Sequence, residues 1–309
     1  MAYPTAAGVP SYSGTFIPEI WSGMLLDKFY DATVLSAISN TKYEGEIKKQ
    51  GDKVIIRTIP SITIRDYVKG QTLQTERPES ANVELLIDKG KYFNFIVDDV
   101  DKAQSDLNFM QDWSRDASTQ MKIQIDTDVL GAIYSSAHAK NAGATAGRIS
   151  GSIGLGAAGA PLAVTAATVL NTIVDVGSVL NEQNVPQEGR FLIVPDWFSA
   201  LIQKSDLRNA SFTGTSDSGN PVLRNGRIGM IGNIEIYNSN LLSHAVDTGH
   251  DSYHIIGGQK TALTFASQLT EVETLRVESA FGNVVRGLQI FGYEVIKPEA
   301  LVHLYAYKG

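Results

Sequence analysis

The sequence predicts an α+β protein, because its strand-like and helix-like segments occur in separate blocks. Alternating apolar residues mark residues 53–97 and the last third of the chain, from about 272 to 307, as strand-rich. Apolar residues at helical spacing mark helices at 99–138 and at about 165–183. The 309 residues, 43% of them hydrophobic, suffice for one or two domains with a core.

Composition narrows the classes of function. Cysteine is absent, which excludes disulfides, thiolate metal sites and a cysteine nucleophile. The net charge of -7 and the lack of a basic stripe disfavour sequence-specific nucleic-acid binding. The N-terminus lacks the basic and apolar regions of a signal peptide, and no apolar run is long enough for a membrane span. We therefore expect a soluble chain, cytoplasmic at synthesis, with no membrane contact.

Residues 1–16 predict an extended arm, since Gly, Pro, Ser, Thr and Tyr dominate and provide no core. Pro18 then suits the first turn of a helix. Trp21, Leu25 and Phe29 follow at helical spacing. Because the apolar face of this helix is broad, it packs either on the protein's own core or on a neighbouring subunit.

Residues 53–90 predict a long projecting β-loop. Its polar middle, roughly 66–82, is too long and too charged for a tight turn. Alternating apolar residues on both sides indicate strands, with a further short alternation at Ile62 and Ile64. A two-stranded ribbon is marginal alone in water, so this loop needs support from elsewhere.

A long helix is predicted from 99 to 138. Its ~30–40 residues would span about 45–60 Å, enough for a strut across the molecule. Asp98, Asp99 and Asp101 precede it, and carboxylates at that point favour helix capping and the macrodipole over a cation site.

The middle of the chain alternates loops, helices and a buried strand. A small-residue loop at 141–161 precedes the second helix, and a polar loop is expected at 206–224. RFLIV at 190–194 predicts a buried strand, and Pro195-Asp196 starts a helix. The inward-facing residues are expected to be Val169, Ile173, Val176 and Leu180 in the second helix, and Trp197, Leu201 and Ile202 in the third.

Four glycines are predicted to shape turns rather than to bind a ligand. Gly90 ends the tripeptide Asp88-Lys89-Gly90, which suits a hairpin turn. Gly226, Gly229 and Gly232 lie in NGRIGMIGNIEIYNSN, and no Lys-Ser/Thr follows them to form a phosphate-binding loop. Gly232-Asn233 is itself a hairpin signal, because both residues tolerate positive φ.

Two sequence patterns suggest a nucleotide site and a metal site, but the surrounding residues do not match what either site requires. Gly154, Gly156 and Gly159 form a GxGxxG, but the strand before it and the helix after it that a dinucleotide site requires are not predicted. The spacings of His244, His250 and His254 fit no standard zinc pattern. No catalytic residue, cofactor site or metal site is therefore predicted.

The order of these elements resembles the tailed-phage major capsid protein family, with its Hong Kong ninety-seven type fold. The segments NGRIGMIGNIEIYNSN, RFLIVPDWFSALIQ and RGLQIFGYEVIKPEALVHLYA are similar to the family's glycine-punctuated hairpin, its strand–Pro–helix unit and its closing strands. The resemblance implies the following division: an N-terminal arm and short helix (1–40), the extended β-hairpin loop and peripheral-domain strands (41–98), the spine helix and crossover loop of the peripheral domain (99–164), an axial domain with mixed sheet and flanking helices (165–285), and C-terminal strands returning to the peripheral domain (286–309).

The resemblance implies a major capsid protein that self-assembles into the icosahedral head shell of a tailed phage around double-stranded DNA. Its partners would be copies of itself in pentamers and hexamers, a separate scaffolding protein, a portal, and packaged DNA contacted non-specifically, with room for a decoration protein. It would be assembled in the host cytoplasm and reside in the virion capsid. Assembly contacts are expected from Trp21, Leu25 and Phe29 in the arm helix and from Tyr67, Lys69, Arg77 and Glu79 in the loop.

Two alternatives remain open at the level of sequence. An encapsulin-like nanocompartment shell has the same fold, although the long arm and β-loop favour the phage protein. A nucleotide-binding enzyme using residues 154–159 is the alternative from another class. No Lys, Asn and Glu set matches the isopeptide chemistry of some family members, so no crosslink is predicted.

Overall fold

A computed structural model describes residues 33–42, 53–57, 60, 62–78, 82–98, 109–205, 227–276 and 281–309. The arm at 1–16, the helix expected from Pro18 and the whole of the polar loop at 206–224 lie outside the described residues.

The described helices and strands follow the expected α+β order. The α-helices are α1 (Leu35–Ile38), α2 (Phe109–Ile133), α3 (Val169–Glu182) and α4 (Asp196–Lys204). The strands are β1 (Lys53–Arg57), β2 (Asn82–Leu86), β3 (Lys89–Asp98), β4 (Leu162–Val164), β5 (Arg190–Val194), β6 (Arg227–Ile231), β7 (Ile234–Asn238), β8 (His244–Asp247), β9 (His250–Gln259), β10 (Leu263–Arg276), β11 (Gly282–Val295) and β12 (Leu301–Lys308). None of the helices described is long and apolar enough to cross a membrane.

A seven-stranded mixed sheet carries most of the core. Its order is β4-β12-β9-β5-β7-β6, with β8 paired to β9. The β4–β12 and β5–β7 pairs are parallel and the others antiparallel. β5 is buried at every position, as predicted. Helices α3 and α4 contact the neighbouring strand β9: Val176 of α3 lies against Gly257, and the ring centroids of Trp197 in α4 and Tyr253 are 6.0 Å apart.

The two helices on this sheet largely match their predicted faces. Val169, Ile173, Val176 and Leu180 of α3 are all buried, as expected from their spacing. In α4, Leu201 and Ile202 are buried as predicted, but Trp197 is only half-buried and Phe198 takes the innermost place.

The hairpin predicted at Gly232-Asn233 is confirmed. β6 and β7 pair antiparallel, and φ is 54° at Gly232 and 67° at Asn233, as a two-residue turn with positive φ at both positions requires. Gly229 has φ 148° at a register shift between Arg227 and Gly229, so it permits a bulge in β6. Gly226 lies outside the described residues.

A three-stranded sheet, β10-β11-β3, forms the second layer, and α2 packs against β3 and β11. The hairpin turn predicted at Asp88-Lys89-Gly90 is wrong. β3 pairs along its whole length with β11, which sets Gly90 opposite Ile290, while β2 pairs with β1. The long register between β3 and β11 outweighs the local turn signal, so Gly90 is a strand residue.

The long helix is confirmed over α2, whose 25 residues span about 37 Å. It ends before the predicted His138, with a 3₁₀ turn at Tyr134–Ser136. Ala137 then has extended backbone angles, φ −65° and ψ 143°, and the His138 N–H donates to the Pro298 carbonyl rather than to a helix carbonyl. Asp98, expected at the helix start, is instead the last residue of β3, opposite Gly282; Asp99 and Asp101 lie outside the described residues.

The strands of the last two predicted segments, 165–285 and 286–309, are distributed over both sheets. β10, expected with the large sheet, lies in the three-stranded sheet beside β11. β12, expected to accompany β11, is an inner strand of the large sheet between β4 and β9. The short 3₁₀ turn at Pro298–Ala300 separates β11 from β12 and lets the chain pass from one sheet to the other.

Candidate assembly surface

The extended β-loop is supported at its base by a small apolar cluster. β1 and β2 form a two-stranded antiparallel ribbon. Ile56, Leu85 and Ile87 pack with Ala266 of β10 in a cluster separate from the main core. Gly292 of β11 lies so close to the Leu86 carbonyl that a Cβ there would collide with it. The ribbon therefore has the outside support that its marginal intrinsic stability requires.

Beyond that base, residues 62–78 form a loop whose two arms are held together by side chains. The Glu76 carboxylate accepts the Thr63 N–H at 2.8 Å and pairs with Arg65 at 3.5 Å. The tip is a β-turn in which the Gln71 N–H donates to the Val68 carbonyl, with φ 88° at Gly70. The strand predicted from Ile62 and Ile64 is wrong, because side-chain contacts replace backbone pairing there.

This loop exposes large apolar side chains to solvent. Ile64 is 90% exposed, Leu73 73% and Tyr67 69%, and Ile62 and Val68 are similarly open. A run of exposed apolar residues on a projecting loop marks a surface for protein–protein contact.

A second apolar surface is a groove of about 510 Å³ between edge strand β3 and helix α2. Phe95 stacks on Phe93 with 6.1 Å between ring centroids and meets the edge of Trp113 at 5.8 Å. Tyr92 lies at its rim and is 78% exposed. Lys91, next to Tyr92 in the strand, also lines the groove and pairs with Asp128 of α2 at 2.6 Å.

Three of the seven predicted assembly residues lie on the loop. Tyr67 and Arg77 are exposed, and Lys69 forms part of the tip turn. Trp21, Leu25, Phe29 and Glu79 lie outside the described residues.

The apolar character of this surface was missed at the level of sequence. Ile62, Ile64, Val68 and Leu73 were not singled out as contacts, although isolated apolar residues within a charged loop were the available signal. The groove was also missed: Phe93 and Phe95 were expected only as strand residues, and nothing local connects them with Trp113.

The glycines of the GxGxxG pattern lie in an irregular loop. Gly156, at φ 74°, lies directly against the Tyr305 carbonyl of β12, where no side chain fits. The next helix, α3, starts only at Val169, so its N-terminus does not adjoin these glycines. This geometry differs from the strand–glycine–helix unit that holds a pyrophosphate.

The three histidines considered as a metal site have different partners. His244 stacks on Tyr253, His250 stacks on Tyr307, and His254 hydrogen-bonds with His303. Within the described ranges, no three His, Asp or Glu side chains are arranged to hold a metal ion.

Comparison with known proteins gives consistent matches. A family model described as "Phage capsid protein" matches residues 82–304. A solved structure from Mycobacterium phage Che8 has 26% identity and a TM-score of 0.72, covering 95% of this chain and 98% of that one. The capsid structure of the cyanophage P-SCSP1u has 17% identity and a TM-score of 0.69, with both chains covered completely. No curated protein matches by sequence.

A third solved structure, the capsid of Ralstonia phage GP4, shares only 10% identity but has a TM-score of 0.71 over 98% of this chain and 99% of that one. The fold is thus retained where the sequences have diverged, and it comprises the β-loop, the peripheral domain with its long helix, and the axial domain with its mixed sheet. The chain belongs to the phage capsid protein family, and it is a major capsid protein with the Hong Kong ninety-seven type fold that forms the icosahedral head shell.

Proposed function

We propose that copies of this chain associate into pentamers and hexamers, and that the loop at 62–78 makes lateral contacts between them. The observation that carries this proposal is the loop itself. It is anchored at its base by Leu85 and its neighbours, yet it holds Ile64, Tyr67 and Leu73 in water. Burial of these side chains against a neighbouring copy would recover free energy of about 25 cal/mol per Å² of apolar surface.

Each such contact is individually modest, and the shell is stabilised by their number. A subunit held by several neighbours at once gains from high effective concentration, so weak interfaces act together. Lys69 and Arg77 add charges near the tip and flank of the loop that orient the contact and limit wrong pairings. The roles of Tyr67, Lys69, Arg77 and Glu79, and of Trp21, Leu25 and Phe29 in the arm, are part of this proposal.

The further partners follow from the same function. A separate scaffolding protein would guide assembly in the host cytoplasm, a portal would occupy one vertex, and a decoration protein could bind outside. Packaged DNA would touch the shell without sequence preference, since the net charge of -7 provides no strong phosphate-binding surface. The chain would act through binding alone and catalyse no reaction.

Ile64→Asp tests the role of the loop. The side chain is 90% exposed, so the substitution should leave the fold of the single chain intact, whereas a charge buried at an interface is costly. Ile149→Asp is a matched control, because Ile149 is 82% exposed and lies in the small-residue loop instead. Far-UV circular dichroism and negative-stain microscopy on the same samples report folding and shell formation.

We expect the Ile64→Asp protein to fold but to form at least tenfold fewer shells than wild type. The reason is that burying one unpaired polar group at an interface costs about 1–3 kcal/mol. The Ile149→Asp control should assemble normally. Shells formed by Ile64→Asp at the wild-type yield would refute a role for the loop.

A further inference from the structure

Two histidines on neighbouring strands of the large sheet form a direct hydrogen bond. His254 lies in β9 and His303 in β12, which pair antiparallel. Nδ1 of His254 and Nε2 of His303 are 2.9 Å apart. One ring must donate and the other must accept, so at least one of these two nitrogens carries no proton.

The pair connects the end of the long helix to this sheet. Tyr134, the first residue after α2, stacks on His254 with 3.9 Å between ring centroids and lies 5.2 Å from the His303 ring. Tyr305 of β12 covers His254 at 4.6 Å. The rings of three elements thus form one stack, and the two imidazoles are at its centre.

The surroundings offer little to offset a positive charge on both rings. Among the residues that the structure describes, the ionisable neighbours are the Tyr134 and Tyr305 phenols and Asp247 of β8, which hydrogen-bonds the Tyr305 hydroxyl. Phenols ionise only near pH ~10 in water. Two protonated imidazoles would both be donors, would repel each other and would break the bond between them.

We propose that the His254–His303 pair is an acid-sensitive joint that fixes the end of the long helix α2 to the large sheet at neutral pH and loosens as both rings become protonated. The joint lies within one chain, so it does not depend on how copies associate.

The direction of the pH dependence follows from burial. Desolvation and the neighbouring His254 lower the pKa of His303 from 6.5 to about 4, and desolvation also lowers the pKa of His254. The pKa of such a histidine is lower while the joint is closed than after it has opened, so the neutral ring favours the closed joint. This stabilisation of the closed joint is complete above the pKa of the open joint. That stability is lost as the pH falls from about 6.5 towards 4.

Hydrogen exchange of the full-length chain, corrected for the intrinsic chemical rate, measures the opening of this joint. For His303 alone, the values of 6.5 and about 4 predict an opening equilibrium that is about 30-fold larger at pH ~5 than at pH ~7.5. We expect that loss of protection in peptides covering the end of α2 with Tyr134 and in peptides from β12. Unchanged protection of both regions between the two pH values would overturn the proposal.

A double substitution isolates the pair. His254→Phe with His303→Phe keeps aromatic stacking but removes both titratable rings, so it should abolish the pH-dependent opening. His244→Phe is the matched control, since His244 stacks on Tyr253 away from this joint, and it should leave the opening as in wild type. A double variant that still loosens with acid as wild type does would refute the proposal.

A second measurement avoids the risk that the double variant fails to fold. In the wild-type chain with labelled histidine, nuclear magnetic resonance follows each imidazole through the pH range. We expect His303 to titrate at least one unit below the exposed histidines, with a second ring displaced in the same direction. Titration of all five histidines near the ordinary value would overturn the proposal.

Discussion

Two buried charged side chains, Asp126 and Arg190, form hydrogen bonds with backbone groups near helix ends. Asp126 accepts the N–H groups of Val34 and Leu35 at 2.6 and 3.2 Å, at the start of α1. Arg190 donates to the Val185 carbonyl at 2.6 Å and to the Pro186 carbonyl at 3.0 Å, just beyond the end of α3. Each charge thus lies against backbone groups of opposite partial charge: N–H groups for the carboxylate and carbonyl oxygens for the guanidinium.

Asp126→Ala tests the first of these contacts. Two buried N–H groups would lose their acceptor, and we expect the free energy of unfolding to fall by about 1–3 kcal/mol. Asp126→Asn keeps an acceptor oxygen for these N–H groups and removes a buried charge. Desolvation of that charge raises the pKa of the Asp126 carboxyl, so we expect Asp126→Asn to lower the free energy of unfolding less than Asp126→Ala does. Urea unfolding of both variants decides, and equal losses for the two would contradict this account.

At the residue scale, sequence reasoning succeeded where all the information is local. The Gly232-Asn233 turn depends on two adjacent residues that tolerate positive φ, and the structure confirms it. Asp126 contacts residues about ninety positions earlier, and no spacing rule reveals such a partner. Nor does the sequence pair His254 with His303, because the register of β9 and β12 sets their separation.

At the scale of elements, the position of the β1–β2 ribbon depends on a glycine in another hairpin. Gly292 of β11 admits the backbone of Leu86 so closely that no side chain fits between them. Leu85 is completely buried beside this contact, while the ribbon's other face is in solvent. The direction of the projecting loop is thus determined by β11.

Gly292→Ala should displace the ribbon. Its Cβ would collide with the Leu86 carbonyl, and we expect a loss of about 1–3 kcal/mol in the free energy of unfolding, as for other overpacked sites. Limited trypsin digestion should also cut faster at Lys53 or Arg57.

Gly131→Ala is the matched control for that substitution. Gly131 lies in α2, and a Cβ at this position would have no atom within 4 Å, so alanine should stabilise by about 0.5–1 kcal/mol. If Gly292→Ala had the same stability and the same digestion rate as wild type, the close approach of Gly292 to the Leu86 carbonyl would not be what holds the ribbon.

Element identity was predictable, but the partners of the strands were not. The spacing of apolar residues correctly indicated α2, α3 and β5. The wrong turn at Gly90 and the unpredicted partners of β12 have one cause: pairing over long sequence distances overrides local turn signals. Periodicity specifies which face of a strand is buried, but it carries no information on which strand lies beside it.

At the scale of the whole molecule, two extended parts were predicted to act between copies, the arm and the loop. The described loop has the exposed apolar surface that this role needs, although Tyr67 alone of these side chains was predicted as a contact. The family and the shell function were predicted from the order of elements, and the match over residues 82–304 confirms the family.

Deletion of residues 1–16, or Trp21→Ala, should impair shell formation more than folding. The sequence of the arm offers few apolar side chains for a core, so its removal should cost the single chain little, while contacts with neighbouring copies would be lost. Negative-stain microscopy and far-UV circular dichroism on the same sample separate the two effects. Intact shells from the shortened chain would exclude an essential role for the arm.

The inner position of β12 has a consequence for biosynthesis. β4 has β12 as its partner in the sheet, and β9 pairs with β12 along most of its length, yet β12 is made last of the described strands. While the ribosome is still translating, both strands therefore present unpaired edges, which are sites of aggregation. A nascent chain that ends before Leu301 would keep those edges open, so β4 and β9 become parts of one sheet only after β12 has been made.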